Sequence, residues 1–278
     1  MEKKRSFSST NKKQKFTQKI SKSAKPILKN NKPGLSSTDK YETRLNKYIA
    51  NTGLCSRREA DEYILSGQIQ VNGKRVSELG TKIKSKDVVT YKGKKLTAEK
   101  KVYILMNKPK DVITTTDDPQ GRRTVFSIIK SRPGERIYPV GRLDRMTTGV
   151  LLLTNDGDLT KKLTHPKFQK KKIYQVTLNK ALTNNDLEQI AIGVTLEDGF
   201  IKADAISFID SEDKKQIGIE IHSGQNRVIR RMFEHLGYTV AKLDRVYFAG
   251  LTKKGLSRGH WRYLTNNEIA TLKKGSYK

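Results

Sequence analysis

Apolar periodicity begins only at Tyr41, and that boundary limits what the chain can build. The 40 residues before it hold 12 of the 57 Lys+Arg and 2 of the 28 Asp+Glu, with Ser, Asn and Gln between them. Their few apolar residues (Phe7, Phe16, Ile20, Ile27, Leu28) keep no period, which predicts a disordered basic arm over residues 1–40. The folded part must come from the remaining 238 residues, enough for two domains of modest size.

The arm carries +10 of the formal net charge of +29, so the rest of the chain carries +19. A basic excess spread over a whole chain, with a pI near 10.0, points to a polyanion, and to nucleic acid before an acidic small molecule. One cysteine, Cys55, excludes an intramolecular disulfide and a multi-thiolate zinc site. The four histidines are scattered from His165 to His260, so no metal centre is expected. No apolar run approaches the ~20 residues that span a bilayer. The first residues also lack the apolar stretch of a secretory signal. The expectation is a soluble, cytoplasmic, monomeric protein that handles nucleic acid away from any membrane.

Between residues 42 and 98 the pattern reads as two helices and a hairpin. Leu45, Tyr48 and Ile49 form a helical stripe that Gly53 ends. Ser56 with Glu59 makes a capping box for a second helix over Arg57–Leu65, with Ala60, Ile64 and Leu65 directed inward. Gln68 to Val71 alternates as a strand, Asn72-Gly73 is a strong hairpin signal, and Lys74 to Val76 begins the return. Asp87 to Tyr91 supplies another strand. This run, RLNKYIANTGLCSRREADEYILSGQIQVNGKRV, resembles the S4 RNA-binding domain. The resemblance implies that Arg44, Lys47, Arg57, Arg58 and Lys74 contact RNA phosphates. Cys55, in the turn between the helices, reads as a packed small hydrophobe.

Residues 99–278 mix strand and helix patterns. Strands are expected over Val102–Met106, Thr147–Thr154, Ile173–Leu178 and Ile217–Ile221. Helices are expected over Leu159–Leu163, Asn185–Ile192 and Arg227–Leu236. Without a regular βαβ count this is an α+β domain with flanking helices on a mixed, largely antiparallel sheet. There is no glycine-rich phosphate loop. Asp144 stands between Arg142 and Arg145 and just before an apolar strand. On physical grounds alone a structural Asp–Arg pair or a turn aspartate is the more ordinary reading.

The wider motif set changes that reading. GRLD followed by TTGVLLLTNDGDL resembles the catalytic motif of the pseudouridine synthases that act on ribosomal RNA and carry an S4 domain. The likeness continues through MNKPKDVITTTDDPQGRRTVF, KKIYQVTL, SGQNRVIRRMFEHLGYTVAKLDRV and GLSRGHWRYLT. DDPQGRRTVF, LTHP and VTLEDG are most similar to members acting on large-subunit RNA. The resemblance implies isomerisation of a uridine: the N1–C1′ bond breaks, the uracil turns, and C5 joins C1′, with no cofactor. It makes Asp144 the catalytic carboxylate, as nucleophile or as base. Arg230 is its partner, with Arg227 as close competitor. Tyr174 stacks on the turning base, Leu243 floors the pocket, and Arg142 contacts the RNA backbone. Arg122, Arg123 and Arg145 are candidates for the flanking phosphates.

Where many members of the branch read Gly-Arg-Asn-Arg, this chain reads Gly224-Gln225-Asn226-Arg227, a change beside the pocket that bears on which nucleotide is chosen. The implied partner is ribosomal RNA, of the large subunit or in a pre-ribosomal particle. Small-subunit RNA or another RNA is the alternative substrate, and a non-catalytic ribosome-assembly factor the alternative class. A non-catalytic relative would be expected to have lost the Asp, Tyr or Arg, all of which are present.

Overall fold

The computed structural model describes residues 42–129 and 134–275. The expected basic arm over residues 1–40 lies outside the described residues.

The first module packs helix α1 (Leu45–Asn51) against α2 (Arg57–Leu65). The Ser56 hydroxyl accepts from the Glu59 N–H, and the Glu59 carboxylate accepts from the Ser56 N–H. The expected capping box is therefore complete. Strands β1 (Ile69–Val71) and β2 (Lys74–Val76) form the hairpin. Asn72 and Gly73, at φ 52° and 79°, adopt the doubly left-handed turn that matches strand twist. Strand β3 (Val89–Tyr91) pairs with the other edge of β1. Leu45, Ile49, Ala60, Ile64, Ile69 and Val89 make the small core, joined by Cys55. Burial pushes the Cys55 thiol up to about 11, the behaviour of a packed hydrophobe rather than a nucleophile. Leu65 departs from expectation: it is 59% exposed, because the last turn of α2 rotates it off the stripe formed by Ala60 and Ile64.

The second module is built on one mixed sheet. Its main strands are β4 (Tyr103–Lys108), β5 (Thr147–Thr154), β6 (Lys172–Leu178), β7 (Ala205–Phe208), β8 (Gln216–Ile221), β9 (Val240–Phe248) and β10 (Trp261–Tyr263), with the short strands Tyr138–Pro139 and Leu251–Thr252 added beside β5 and β9. They lie in the order β7-β8-β6-β9-β5-β4-β10. All neighbours are antiparallel except β9 and β5, which run parallel. Strand alternation divides the core into two layers. Ile104, Met106, Leu151 and Leu153 face one layer, which holds α4 (Asn184–Ile192) and α5 (Val228–His235). Tyr103, Leu105, Val150 and Leu152 face the other, with α3 (Gly157–Thr164) and α6 (Asn266–Lys274). Strand β4 continues through Lys108, two residues beyond the expected end, and that extension shapes the site. Helix α3 begins two residues early because the Asp156 carboxylate accepts from the Leu159 N–H and caps it.

The parallel pair positions the loop that carries Asp144. Leu243 of β9 sits opposite Thr147 of β5, and Arg245 opposite Gly149. Gly149 has φ 104°, and a Cβ there would come 2.2 Å from the Arg245 carbonyl oxygen. Only glycine lets these backbones approach so closely.

Candidate active site

Asp144 lies in the loop that enters β5, and its backbone is pinned on both sides. The Leu143 N–H donates to the Thr114 hydroxyl at 3.0 Å, and that hydroxyl donates to the Leu143 carbonyl at 2.5 Å. Lys108, fully buried at the end of β4, donates through Nζ to the carbonyls of Asp144 (3.0 Å), Arg145 (3.3 Å) and Thr147 (2.8 Å). Burial pulls the Lys108 ammonium down to about 8, opposed by the charges of Asp144 and Asp111. A loop held through its carbonyls and an N–H leaves the Asp144 carboxylate free for chemistry. Lys108 and Thr114 both lie in the family-like stretch MNKPKDVITTTDDPQGRRTVF, but nothing in the sequence assigned either of them a role at Asp144.

The carboxylate faces a cavity of about 290 Å³. Tyr174 and Leu243 both line it, as the family resemblance implied, together with Val228 and Ile229 of α5 and the exposed Arg142. The arginine arrangement differs from expectation. Arg227, not Arg230, forms the ion pair: its Nη1 stands 3.8 Å from Asp144 Oδ2, and its Nη2 3.7 Å from Glu234. Arg227 caps α5 in a left-handed conformation (φ 48°, ψ 27°), which swings its side chain back over the cavity. Arg230 follows one turn later and does not line the cavity. Its Nη1 donates to the Val240 carbonyl at 2.8 Å, whereas Nε and Nη2 are buried without partners. Burial lowers its pKa, partly offset by the charge of Asp144. The Asp144 side chain retains 35% exposure, so its ion pair with Arg227 is half open to water.

Two further cations line the same cavity, Lys172 and Arg245. Neither stood out in the sequence, since each reads as an ordinary basic residue in a strand. Of the remaining arginines, Arg145 is paired with Asp111 at 2.6 Å and Arg122 with Asp118.

Three of the five S4-like candidates meet at a second opening. Arg44, Lys47 and Arg57 line a cleft of about 1030 Å³ whose far wall carries Arg136, Lys161 and His165. Lys47 bridges the cleft to Asp158 at 2.5 Å. Arg58 and Lys74 are exposed elsewhere on the first module and do not join this cleft. Thr164 borders both the cleft and the Asp144 cavity, so the two openings are neighbours at that residue.

The family model for RNA pseudouridylate synthase matches residues 102–235, and that for the S4 domain matches residues 43–89. Ribosomal large subunit pseudouridine synthase B of Bacillus subtilis is 42% identical over 233 residues, 83% of this chain and 95% of the relative. The dual-specificity RNA pseudouridine synthase RluF of Escherichia coli K12 is 38% identical over 232 residues, 82% of this chain and 78% of the relative. A crystal structure of a pseudouridylate synthase superposes with a TM-score of 0.61 at 29% identity, covering 82% of this chain and 99% of that one. Sequence and fold agree, and the chain belongs to the S4-domain-bearing RNA pseudouridine synthases, enzymes that isomerise uridine to pseudouridine.

Proposed function

We infer that this enzyme isomerises a specific uridine of ribosomal RNA, of the large subunit, with Asp144 as its catalytic carboxylate. The observation that carries the reading is Asp144 itself: a backbone-clamped carboxylate facing a cavity lined by Tyr174 and Leu243. Asp144 either bonds to C1′ of the target ribose or takes its C2′ proton, and both routes need an ionised carboxylate held still. Arg227 holds it in the free enzyme, and Arg230 offers two unused N–H groups just behind. Tyr174 stacks on the uracil as it turns, and Leu243 supports it from below. A base within a duplex cannot reach this cavity, so the target is unpaired or flipped out.

The cleft supports a path for the RNA backbone. Arg44, Lys47 and Arg57 on one wall and Lys161 on the other suit phosphates flanking the target, while Arg58 and Lys74 extend the basic surface outward. Large-subunit RNA is favoured by the similarity to the Bacillus subtilis enzyme. Such a substrate places the enzyme in the cytoplasm, where it acts as a monomer. Among the described residues, no helix is long and apolar enough to cross a membrane.

The test incubates unmodified large- and small-subunit rRNA with wild type and with Asp144→Asn, and maps pseudouridine by carbodiimide stops in primer extension. A stop in large-subunit rRNA that vanishes with the variant is expected. A stop only in small-subunit rRNA overturns the substrate, and an active Asp144→Asn overturns the catalytic assignment.

A further inference from the structure

The cavity beside Asp144 holds more positive charge than its one carboxylate can balance. Arg245 is 2% exposed. Its Nε donates to the Val150 carbonyl at 2.8 Å, its guanidinium lies 4.6 Å from the centre of the Phe248 ring, and its Nη2 is buried with no partner. Lys172 lies on the neighbouring strand, with Nζ held by the carbonyls of His222 (2.7 Å), Lys170 (3.2 Å) and Ser223 (3.3 Å). Neither forms an ion pair with a carboxylate among the described residues. Burial and the charge of Arg245 together bring the Lys172 ammonium down to about 8. Arg245 is buried and Lys172 half-buried, with only the more distant charge of Asp204 opposing the fall in the Lys172 pKa, and cations so placed with no carboxylate in contact are costly unless something negative joins them.

Their place in the sheet shows what they would meet. Arg245 sits directly opposite Tyr174 across the β6–β9 ladder, and Lys172 is two residues from Tyr174 on the same strand. Tyr174 and Leu243, two residues from Arg245, therefore share a pocket wall with both cations. Between Ile173 and Tyr174 the register slips by one residue on β9, a bulge of the kind that re-aims side chains. Arg142 and Arg227, which line the same cavity, are exposed, whereas Arg245 is buried.

We propose that Arg245 and Lys172 form the electrophilic end of the pocket, binding the carbonyl oxygens of the target uracil and stabilising the negative charge the ring gains when it leaves the sugar. As C1′–N1 breaks, its electron pair passes to the ring and spreads over N1, O2 and O4. Asp144 meanwhile bonds C1′, or removes a C2′ proton that is later returned. C5 then bonds C1′, expelling the Asp144 carboxylate from C1′ or adding to the C1′–C2′ double bond as the proton returns to C2′; the C5 proton leaves and N1 takes one up, so the product is an isomer and Asp144 is regenerated. Fixed donors in a dry site stabilise such transient charge well, because they need no reorganisation. The proposal rests on the Asp144 cavity being the active site.

The test is single-turnover conversion of full-length rRNA transcribed with UTP or with 5-fluoro-UTP. Each RNA is incubated with wild type, Arg245→Lys, Arg245→Gln, Lys172→Met and Asp144→Asn, and the C1′–C5-linked nucleosides are counted by mass spectrometry after digestion. Fluorine withdraws electrons and stabilises the ring anion by itself. On uridine, Arg245→Gln and Lys172→Met should each lose about 100-fold, the usual cost of removing one such donor. On 5-fluorouridine the losses should shrink to about tenfold, with Arg245→Lys retaining most activity and RNA affinity changing little. Equal losses on both substrates, or losses confined to RNA affinity, overturn the proposal in favour of structural support or a phosphate grip. Full activity in Asp144→Asn overturns the active-site reading, and this proposal with it. Thermal unfolding of each variant separates these outcomes from misfolding.

Discussion

Lys108 is fully buried, and its ammonium meets only backbone carbonyls: that of Pro109 and three from the loop that carries Asp144. Replacing it with Met removes the donor and leaves those carbonyls buried and unsatisfied. The expected cost is about 3 kcal/mol, within the range for orphaned buried partners. The sign of its pH dependence follows from its pKa, about 8 in the folded chain against 10.5 in the unfolded one. Between those values the unfolded state binds more protons, so wild-type stability gains as pH rises. The gap between wild type and Lys108→Met should therefore widen from pH 7 to pH 9.5 in urea midpoints, and a constant gap would remove Lys108 as the titrating group. The carboxylate it serves was readable from GRLD through family resemblance. The clamp was not, because carbonyl acceptors leave no trace in side-chain identity.

Among the elements, the boundaries set by local chemistry were the most legible. The Ser56–Glu59 box and the Asn72-Gly73 turn formed where expected, since each depends on a few neighbouring residues. A second capping box, Thr265 with Glu268, starts α6, and Arg262 of β10 grips Glu268 with two hydrogen bonds of 2.8 and 2.7 Å. Those hydrogen bonds pull the Glu268 carboxyl down to about 2 from an ordinary 4.5. Its contribution is present above about 4.5 and is lost as pH falls toward 2. Glu268→Gln should lower stability by about 1 kcal/mol at pH 7, allowing for partial solvent exposure, and should cost nothing near pH 2. Chemical denaturation at the two pH values checks this. At the same scale, the parallel β5–β9 pair was not foreseeable from either strand. It depends on Gly149 allowing close approach of a strand about a hundred residues away in the chain.

Across the whole molecule, a net charge of +29 makes RNA binding an electrostatic event, with counterions released for each phosphate contacted. Arg44, Arg57 and Arg58 lie exposed on the first module, the first two on the cleft that opens beside the Asp144 cavity. Changing all three to Gln should flatten the dependence of log affinity on log salt by about 2 to 3, each contact contributing about 0.7 to 0.9. Filter binding of an rRNA fragment across a salt series measures the slope. An unchanged slope would show that phosphates pass elsewhere. The cleft was legible only in half: the sequence marked Arg44, Lys47 and Arg57, but not Arg136 and Lys161 on the facing wall.

Charge balance, the Ser56–Glu59 cap, the Asn72-Gly73 hairpin and the motifs that show the family were all legible in the sequence alone. Each rests on composition or on contacts between residues close in the chain. The partner of Asp144, the Lys108 clamp, and the meeting of Lys172 with Arg245 were decided only by tertiary structure. Those contacts join segments far apart in the chain, and depend on strand register, a bulge and one left-handed backbone at Arg227. A one-residue change in that register would turn the same side chains to the other face of the sheet.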